Sequence, residues 1–265
     1  MTTSNAYARI FYALFIRDAK VYYYHWMRSF INYGLIYPSL WSISFGLLLP
    51  YFGLGRQDAL MTTMMICGSY IWIVLPITYH LNMDLMYEIS QKGYIWYYLT
   101  FAPAWLLLVE RLLFSAFVCL TSVVPFFFMI KLILGPLFLS SALSLPLLLG
   151  IIISSGLFCG AFNIFTLTWV HNDIQMTNFF IRIVMPAVTF GCFLVPWFAM
   201  NSIHPVVGWL TLINPFTYIT DGLRSAITGN QLFIPALYCI GALTGFAIIY
   251  IVLAAYCFKR KTDHL

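Results

Sequence analysis

The sequence predicts an all-α integral membrane protein: six transmembrane helices, an N-terminal interfacial helix, a short cytoplasmic helix after the second span and a re-entrant segment before the last span. Three observations predict it. Of 265 residues, 62% are hydrophobic and only 8% charged, against about one quarter charged in a soluble domain. A bilayer solvates so much apolar surface directly, whereas a soluble fold of this size has too little interior to hide it. Six apolar runs, at 30–52, 59–81, 104–130, 145–168, 183–203 and 234–258, are long enough to cross about 30 Å of hydrocarbon. When the loops are assigned alternately, one side holds Arg9, Arg17, Lys20, Arg28, Lys92, Arg111, Arg182, Lys259, Arg260 and Lys261, and the other only Arg56, Lys131 and Arg224. That asymmetry places both termini in the cytoplasm. The runs lack the period-two alternation of a barrel, and lipid offers no water to unpaired backbone, so the spans are helices.

Residues 1–29 form one unit, the cytoplasmic interfacial helix, and 30–265 one membrane domain without internal repeats. Charges at Arg9, Arg17, Asp18 and Lys20 interrupt any signal-peptide core, so the first residues are expected to remain. The net charge of +5 gathers at the ends of apolar runs, which fits membrane topology rather than nucleic acid. All six cysteines lie in or against apolar runs without metal spacing and read as packing residues.

Along 6–28, Arg9, Arg17, Lys20 and Arg28 share one side of a helix, and Phe11, Phe15, Ala19 and Tyr22 fill the other. Such a helix suits the cytoplasmic interface, basic face toward lipid phosphate; a plain positive flank is the simpler alternative. In the first span Tyr33, Tyr37, Trp41 and Phe45 recur every four residues as an aromatic stripe, either lining a translocation path or packing against neighbours. Pro38, Pro76, Pro125, Pro186 and Pro196 fall within spans and are expected to kink or open them.

After the second span, Asn82 is placed to cap a short helix that Gly93 ends, with Asp84, Glu88 and Lys92 along one side and Leu85, Met86 and Ile89 on the other. That layout suits docking in a partner's groove. Glu110 and Arg111 sit several residues inside the third run, where a lone charge costs a few kcal/mol. Adjacent residues face different ways, so Glu110 is expected to meet Arg17 or Arg28 at the cytoplasmic entrance, or else to snorkel. Asp173 and Arg182 are placed in a cytoplasmic loop as a second partner contact. Residues 206–213 are too apolar for a loop and too short for a span. A re-entrant hairpin fits them, turning at Asn214-Pro215, with Tyr218 in its second limb and Asp221 and Arg224 paired at i, i+3 near the interface.

These pieces, in this order, resemble the permease subunits of type-2 ABC exporters. The most specific stretch is Asn214-Pro215-Phe216-Thr217-Tyr218-Ile219-Thr220-Asp221-Gly222-Leu223-Arg224, similar to the family's Asn-Pro-hydrophobic-Thr-Tyr followed by Leu-Arg. Residues 87–103 also resemble the family's polar helix, Gly, apolar run and Pro, although 94–98 is aromatic where members often carry a Thr-Leu-Glu type sequence. The resemblance implies a dimer of permeases, a second copy or a paralogue, above two copies of an ABC ATPase subunit that carry ATP and Mg. It makes residues 84–92 the coupling helix: Asp84, Leu85, Glu88, Ile89 and Lys92. The chain itself has no G-x-x-x-x-G-K-[ST] loop and is expected to hold no cofactor, no metal and no catalytic residue. The expected activity is export of an amphiphile, such as a drug, a lipid or a lipid-linked glycan. The alternatives are a dedicated polysaccharide or O-antigen type exporter, an integral-membrane transferase using His80, His171 or Glu110, and an energy-independent channel.

Overall fold

The computed structural model describes residues 3–52, 59–90, 99, 102–138, 140, 143–170, 172–229 and 232–263. They are helical almost throughout, and no strand occurs among them. Four helical stretches, Ala59–Met83, Ala104–Leu137, Leu145–Trp169 and Ala236–Arg260, are long and apolar enough to cross a membrane. The protein is therefore membrane-embedded and all-α.

In chain order, α1 is Thr3–Ser29, α2 Tyr37–Trp41, α3 Leu49–Tyr51, α4 Ala59–Ser69 and α5 Ile71–Ser90. Then follow α6 (Ala104–Leu134), α7 (Leu145–Trp169), α8 (Asp173–Phe179), α9 (Met185–Phe190), α10 (Trp197–Ile203), α11 (Pro205–Ile213), α12 (Pro215–Thr228) and α13 (Ala236–Asp263). The axis of the bundle is α7, which packs on α5, α6, α12 and α13. Its Gly156 and Gly160, four residues apart, allow α6 to come close: a Cβ on Gly156 would stand 3.0 Å from the Ala116 Cα, and one on Gly160 2.8 Å from the Ser115 Cβ. Small residues at this spacing let backbones meet where lipid gives no hydrophobic drive. Toward α13, Phe158, Phe162 and Phe165 meet Phe246 and Tyr250 edge-on or tilted, with centroids 5.3 to 6.5 Å apart.

Three π-helical stretches, Phe30–Ile36, Ser42–Leu48 and Phe180–Val184, each end two residues before a proline: Pro38, Pro50 and Pro186. Proline lacks an N–H and its ring crowds the carbonyl four residues back; a widened turn ahead of it absorbs both. The expected kinks at Pro38 and Pro186 thus take the form of π turns. Pro76 and Pro125 sit inside α5 and α6, while Pro196 caps the N-terminus of α10.

Four expectations are corrected. The aromatic face of the N-terminal helix is covered by protein: α1 runs on through the π stretches to Tyr51 without a turn and packs along α6. Tyr7 meets Trp105 at 6.2 Å, Phe15 meets Phe114 at 5.4 Å, and the Tyr22 and Ser122 hydroxyls lie 3.2 Å apart. The aromatic face expected to enter acyl chains is satisfied by protein instead. Asn82 caps nothing, because α5 runs unbroken from Ile71 to Ser90; its amide is buried and donates to the Thr78 carbonyl at 2.7 Å and to the Ser115 Oγ at 3.0 Å. Residues 183–203 are not one span. The backbone unwinds over 191–196, with Gly191 ending α9 and Cys192 at φ 57°. Finally, Arg182 is not in a loop. A helix starts at Asp173, where the Asn172 side chain accepts the Gln175 N–H at 2.9 Å, and Arg182 lies well along it.

Replacing Gly156 or Gly160 by Val should lower the melting temperature of the detergent-solubilised protein by the equivalent of about 1–3 kcal/mol of overpacking. Gly241→Ala and Gly245→Ala, where an added Cβ meets nothing within 4 Å, should leave it unchanged.

Candidate functional site

The break after α9 frees backbone groups in an apolar interior, and α12 takes them up. Arg224 is fully buried, and its five N–H donors are all used. Nε and Nη2 donate to the Met64 carbonyl at 3.0 and 2.9 Å, Nη1 to the Cys192 carbonyl at 2.8 Å, and Nη2 to the Phe193 carbonyl at 2.9 Å. The fifth goes from Nη1 to Asp221 Oδ1 at 2.8 Å. The other Asp221 oxygen accepts the Trp197 N–H, the first of α10, at 3.2 Å, and Thr220 Oγ1 donates to the Gly191 carbonyl at 3.1 Å. One turn of α12 thus fixes α4, the unwound turn and the start of α10. The turn approaches α4 at Gly68, where a Cβ would fall 1.7 Å from the Phe193 carbonyl oxygen; only glycine fits there.

The turn expected at Asn214-Pro215 falls at the joint between α11 and α12. The Asn214 side chain accepts the Phe216 N–H at 3.1 Å and donates to the Ala187 carbonyl, tying the joint to α9. Thr217 Oγ1 donates to the Thr211 carbonyl and the Tyr218 hydroxyl to the Leu212 carbonyl, each at 2.7 Å. These two bonds satisfy the last carbonyls of α11. Pro215 opens α12 at its first turn. The Asp221–Arg224 pair, expected near an interface, is enclosed on every side, each side chain having no exposed area.

A second polar cluster joins α1 to α6. Glu110 is 1% exposed and its Oε1 accepts no hydrogen bond among the described residues. The charged groups acting on it are Asp18, Arg111 and Arg17, and Arg17 also binds Asp18 Oδ1 at 2.6 Å. The sequence offered Arg17 or Arg28 as its neighbour; Arg28 is exposed. Two cations and two carboxylates gathered in one place reduce the cost of burying each. From there a hydrogen-bonded chain enters the bundle: Ser115 Oγ donates to the Arg111 carbonyl at 2.8 Å, Asn82 joins Ser115 to Thr78, and the Asn163 amide donates to Thr78 Oγ1 at 2.7 Å. Asn163 and Thr78 gave no sign in sequence beyond being polar in apolar runs.

The aromatic stripe is present as two stacked pairs, Tyr33 on Tyr37 with centroids 5.5 Å apart and Trp41 on Phe45 at 5.0 Å. Tyr37 is exposed and the other three are half-buried. Trp41 also meets Phe193 of the unwound turn edge-on at 5.9 Å. Of the residues placed in the cytoplasmic helix, Leu85 is 2% exposed and packs with Leu108, Ile164, Ala254 and Phe258. Asp84, Glu88 and Ile89 lie on the last turns of α5; their side chains, and Lys92 and Gly93 entirely, lie outside the described residues, as does His171. A cavity of about 430 Å³ opens between α5 and the helix after Asp173, lined chiefly by Pro76, His80, Met83, Met176, Phe180 and Ile181. Among the described residues no group of His, Cys, Asp and Glu is placed to hold a metal ion. Compared with protein-family models and with curated proteins, the chain has no match.

Arg224→Ala should cost about 3–5 kcal/mol in thermal unfolding, because it leaves Asp221 charged and buried without its partner. Arg224→Lys should recover little, since a point ammonium cannot reach three carbonyls and a carboxylate at once. At the second cluster, Glu110→Lys should reduce the yield of folded protein. Arg17→Glu in the same chain should restore it, and Arg28→Glu should not.

Proposed function

We propose that this chain is the permease subunit of an ATP-driven exporter of the type-2 ABC kind. In this reading it carries an amphiphile, a drug, lipid or lipid-linked glycan, out of the cytoplasm across a bacterial inner membrane. The observation that carries the proposal is segment 214–224, on which the family resemblance rests. Asn214, Thr217, Tyr218, Asp221 and Arg224 each bind a neighbouring segment, so the residues of that pattern have a structural reason to occur together. A short apolar helix pair beside an unwound segment suits a re-entrant element, because irregular backbone at membrane depth is tolerated where protein satisfies it.

Two further crossings complete the six in this reading. The helical stretch from Phe30 to Tyr51 is the first, and the helix from Asp173 to Phe190, with the unwound segment after it, the fifth. Both termini then lie in the cytoplasm. The last turns of α5, carrying Asp84, Glu88 and Ile89 and followed by Lys92, meet the ATPase subunit, while Leu85 of the same turns is buried in the bundle. Because α5 is continuous there and Leu85 is set among α6, α7 and α13, closure of two ATPases would move the bundle as a lever rather than through a separate hinge-linked helix. ATP and Mg belong to those partners, two copies below a dimer of permeases. Residues 33–45 of the stripe and the Glu110–Arg17 cluster flank the path and its entrance.

Purification of the chain from its native membrane should bring down a protein bearing a G-x-x-x-x-G-K-[ST] loop, in equimolar amount. ATP hydrolysis by the pair in lipid should rise with the exported amphiphile. Flux without nucleotide, chemical turnover by the chain alone, or labelling of a cysteine at position 88 from outside the cell would overturn the proposal.

A further inference from the structure

The helix from Asp173 to Phe190 is apolar in composition, yet one of its faces is polar. Gln175, Asn178, Arg182 and Thr189 are spaced three, four and seven residues apart and so share one side. All four are exposed, whereas Met176, Val184 and Val188, on the opposite side, are buried. Arg182 is nine residues from the start of this helix and eight from its end, about 12–13 Å from either at 1.5 Å per residue. An arginine side chain is shorter than that, so it reaches neither end. If this helix is the fifth crossing of the exporter reading, a cation so far from its ends faces charge or water and not lipid. It also sits in the π stretch Phe180–Val184, a distortion found often at functional sites.

Among the described residues no carboxylate is placed against it. Of its eight acidic residues, Asp18 binds Arg17, Glu110 is buried against α1, and Asp221 is enclosed with Arg224. The other five, Asp58, Asp84, Glu88, Asp173 and Asp263, stand at or beyond the ends of apolar runs. A counter-charge from another molecule would complete the pairing.

We propose that Gln175, Asn178, Arg182 and Thr189 line a water-filled path and that Arg182 receives an anionic group, phosphate, sulfate or carboxylate, of the amphiphile moving through it. This rests on the exporter reading and narrows its substrate to an anion. Asn178 lies on the cytoplasmic side of the cation together with Gln175, and Thr189, whose hydroxyl donates to the Met185 carbonyl at 2.8 Å, lies beyond it, so that the headgroup passes along polar side chains instead of binding at a single deep site.

The test uses the full chain in membrane vesicles with its partners, and Cys257, which alone among the cysteines is not buried, replaced by Ser. Single cysteines at Asn178 and Thr189 are compared with Ile183→Cys on the exposed apolar flank. The probes are two methanethiosulfonates, one carrying a sulfonate and one a trimethylammonium. Asn178→Cys and Thr189→Cys should react about tenfold or more faster than Ile183→Cys, and the sulfonate should outpace the cation by a similar factor. Arg182→Gln should abolish that preference and Arg182→Lys retain it, which separates loss of charge from misfolding. Stripe cysteines no more reactive than Ile183→Cys, or a reagent preference indifferent to Arg182, would overturn the proposal. So would disulfide cross-linking of Asn178→Cys between two copies, since the face would then be a protein contact. Labelling requires neither nucleotide nor a known substrate, so its failure is distinct from failure to copurify an ATPase.

Discussion

A guanidinium with no access to water holds this structure together. Where the chain unwinds between α9 and α10, carbonyls at Gly191, Cys192 and Phe193 and the N–H of Trp197 lose their helical partners in a buried or half-buried place. Each such group left unpaired would cost several kcal/mol in a bilayer. Thr220, Asp221 and Arg224, on one turn of α12, satisfy all four, and the same arginine reaches the Met64 carbonyl of α4. The bare surface at Gly68 and the capped joint at Asn214 follow from this, because the turn must lie against α4 and α12 must be aimed at the turn.

The rest of the architecture follows the same rule, that a polar group in an apolar medium is tolerated only in company. Glu110 lies with Arg17, Asp18 and Arg111. Asn82, Ser115, Thr78 and Asn163 form one chain of hydrogen bonds between α5, α6 and α7. Backbone strain from proline is absorbed locally by π turns ahead of Pro38, Pro50 and Pro186. Arg182 departs from the rule, being charged, exposed and set at mid-helix. Its place on the same helix that ends in the Arg224-held turn links a candidate substrate contact to the most tightly tied part of the fold.

In the proposed transport role the chain would need a stiff connection from the Ser90 end of α5 to its centre. The continuous α5 supplies one, with Leu85 set among three other helices at one end and Tyr70 bonded to Ser155 of α7, at 2.9 Å, at the other. Stiffness of this kind favours rigid-body rocking of packed helices over local bending.

The sequence by itself determined the solvent, the helical class and the position of most helices. Apolar length and the scarcity of charge act locally and do not depend on which helices are neighbours. It also singled out Asn214, Pro215, Tyr218, Asp221 and Arg224, since capping, turn formation and i, i+3 pairing are short-range. Only the tertiary structure decided that Arg224 spends its remaining donors on carbonyls from two distant segments, that α1 packs on α6 and draws Arg17 to Glu110, and that α5 passes through Asn82 without a cap. It likewise decided that the fifth apolar run breaks at Gly191 and that its helix starts at Asp173, which sets Arg182 at mid-helix. Backbone carbonyls have no residue letter and partners far apart in sequence leave no periodic signal, so these long-range choices became visible only when the helices were brought together.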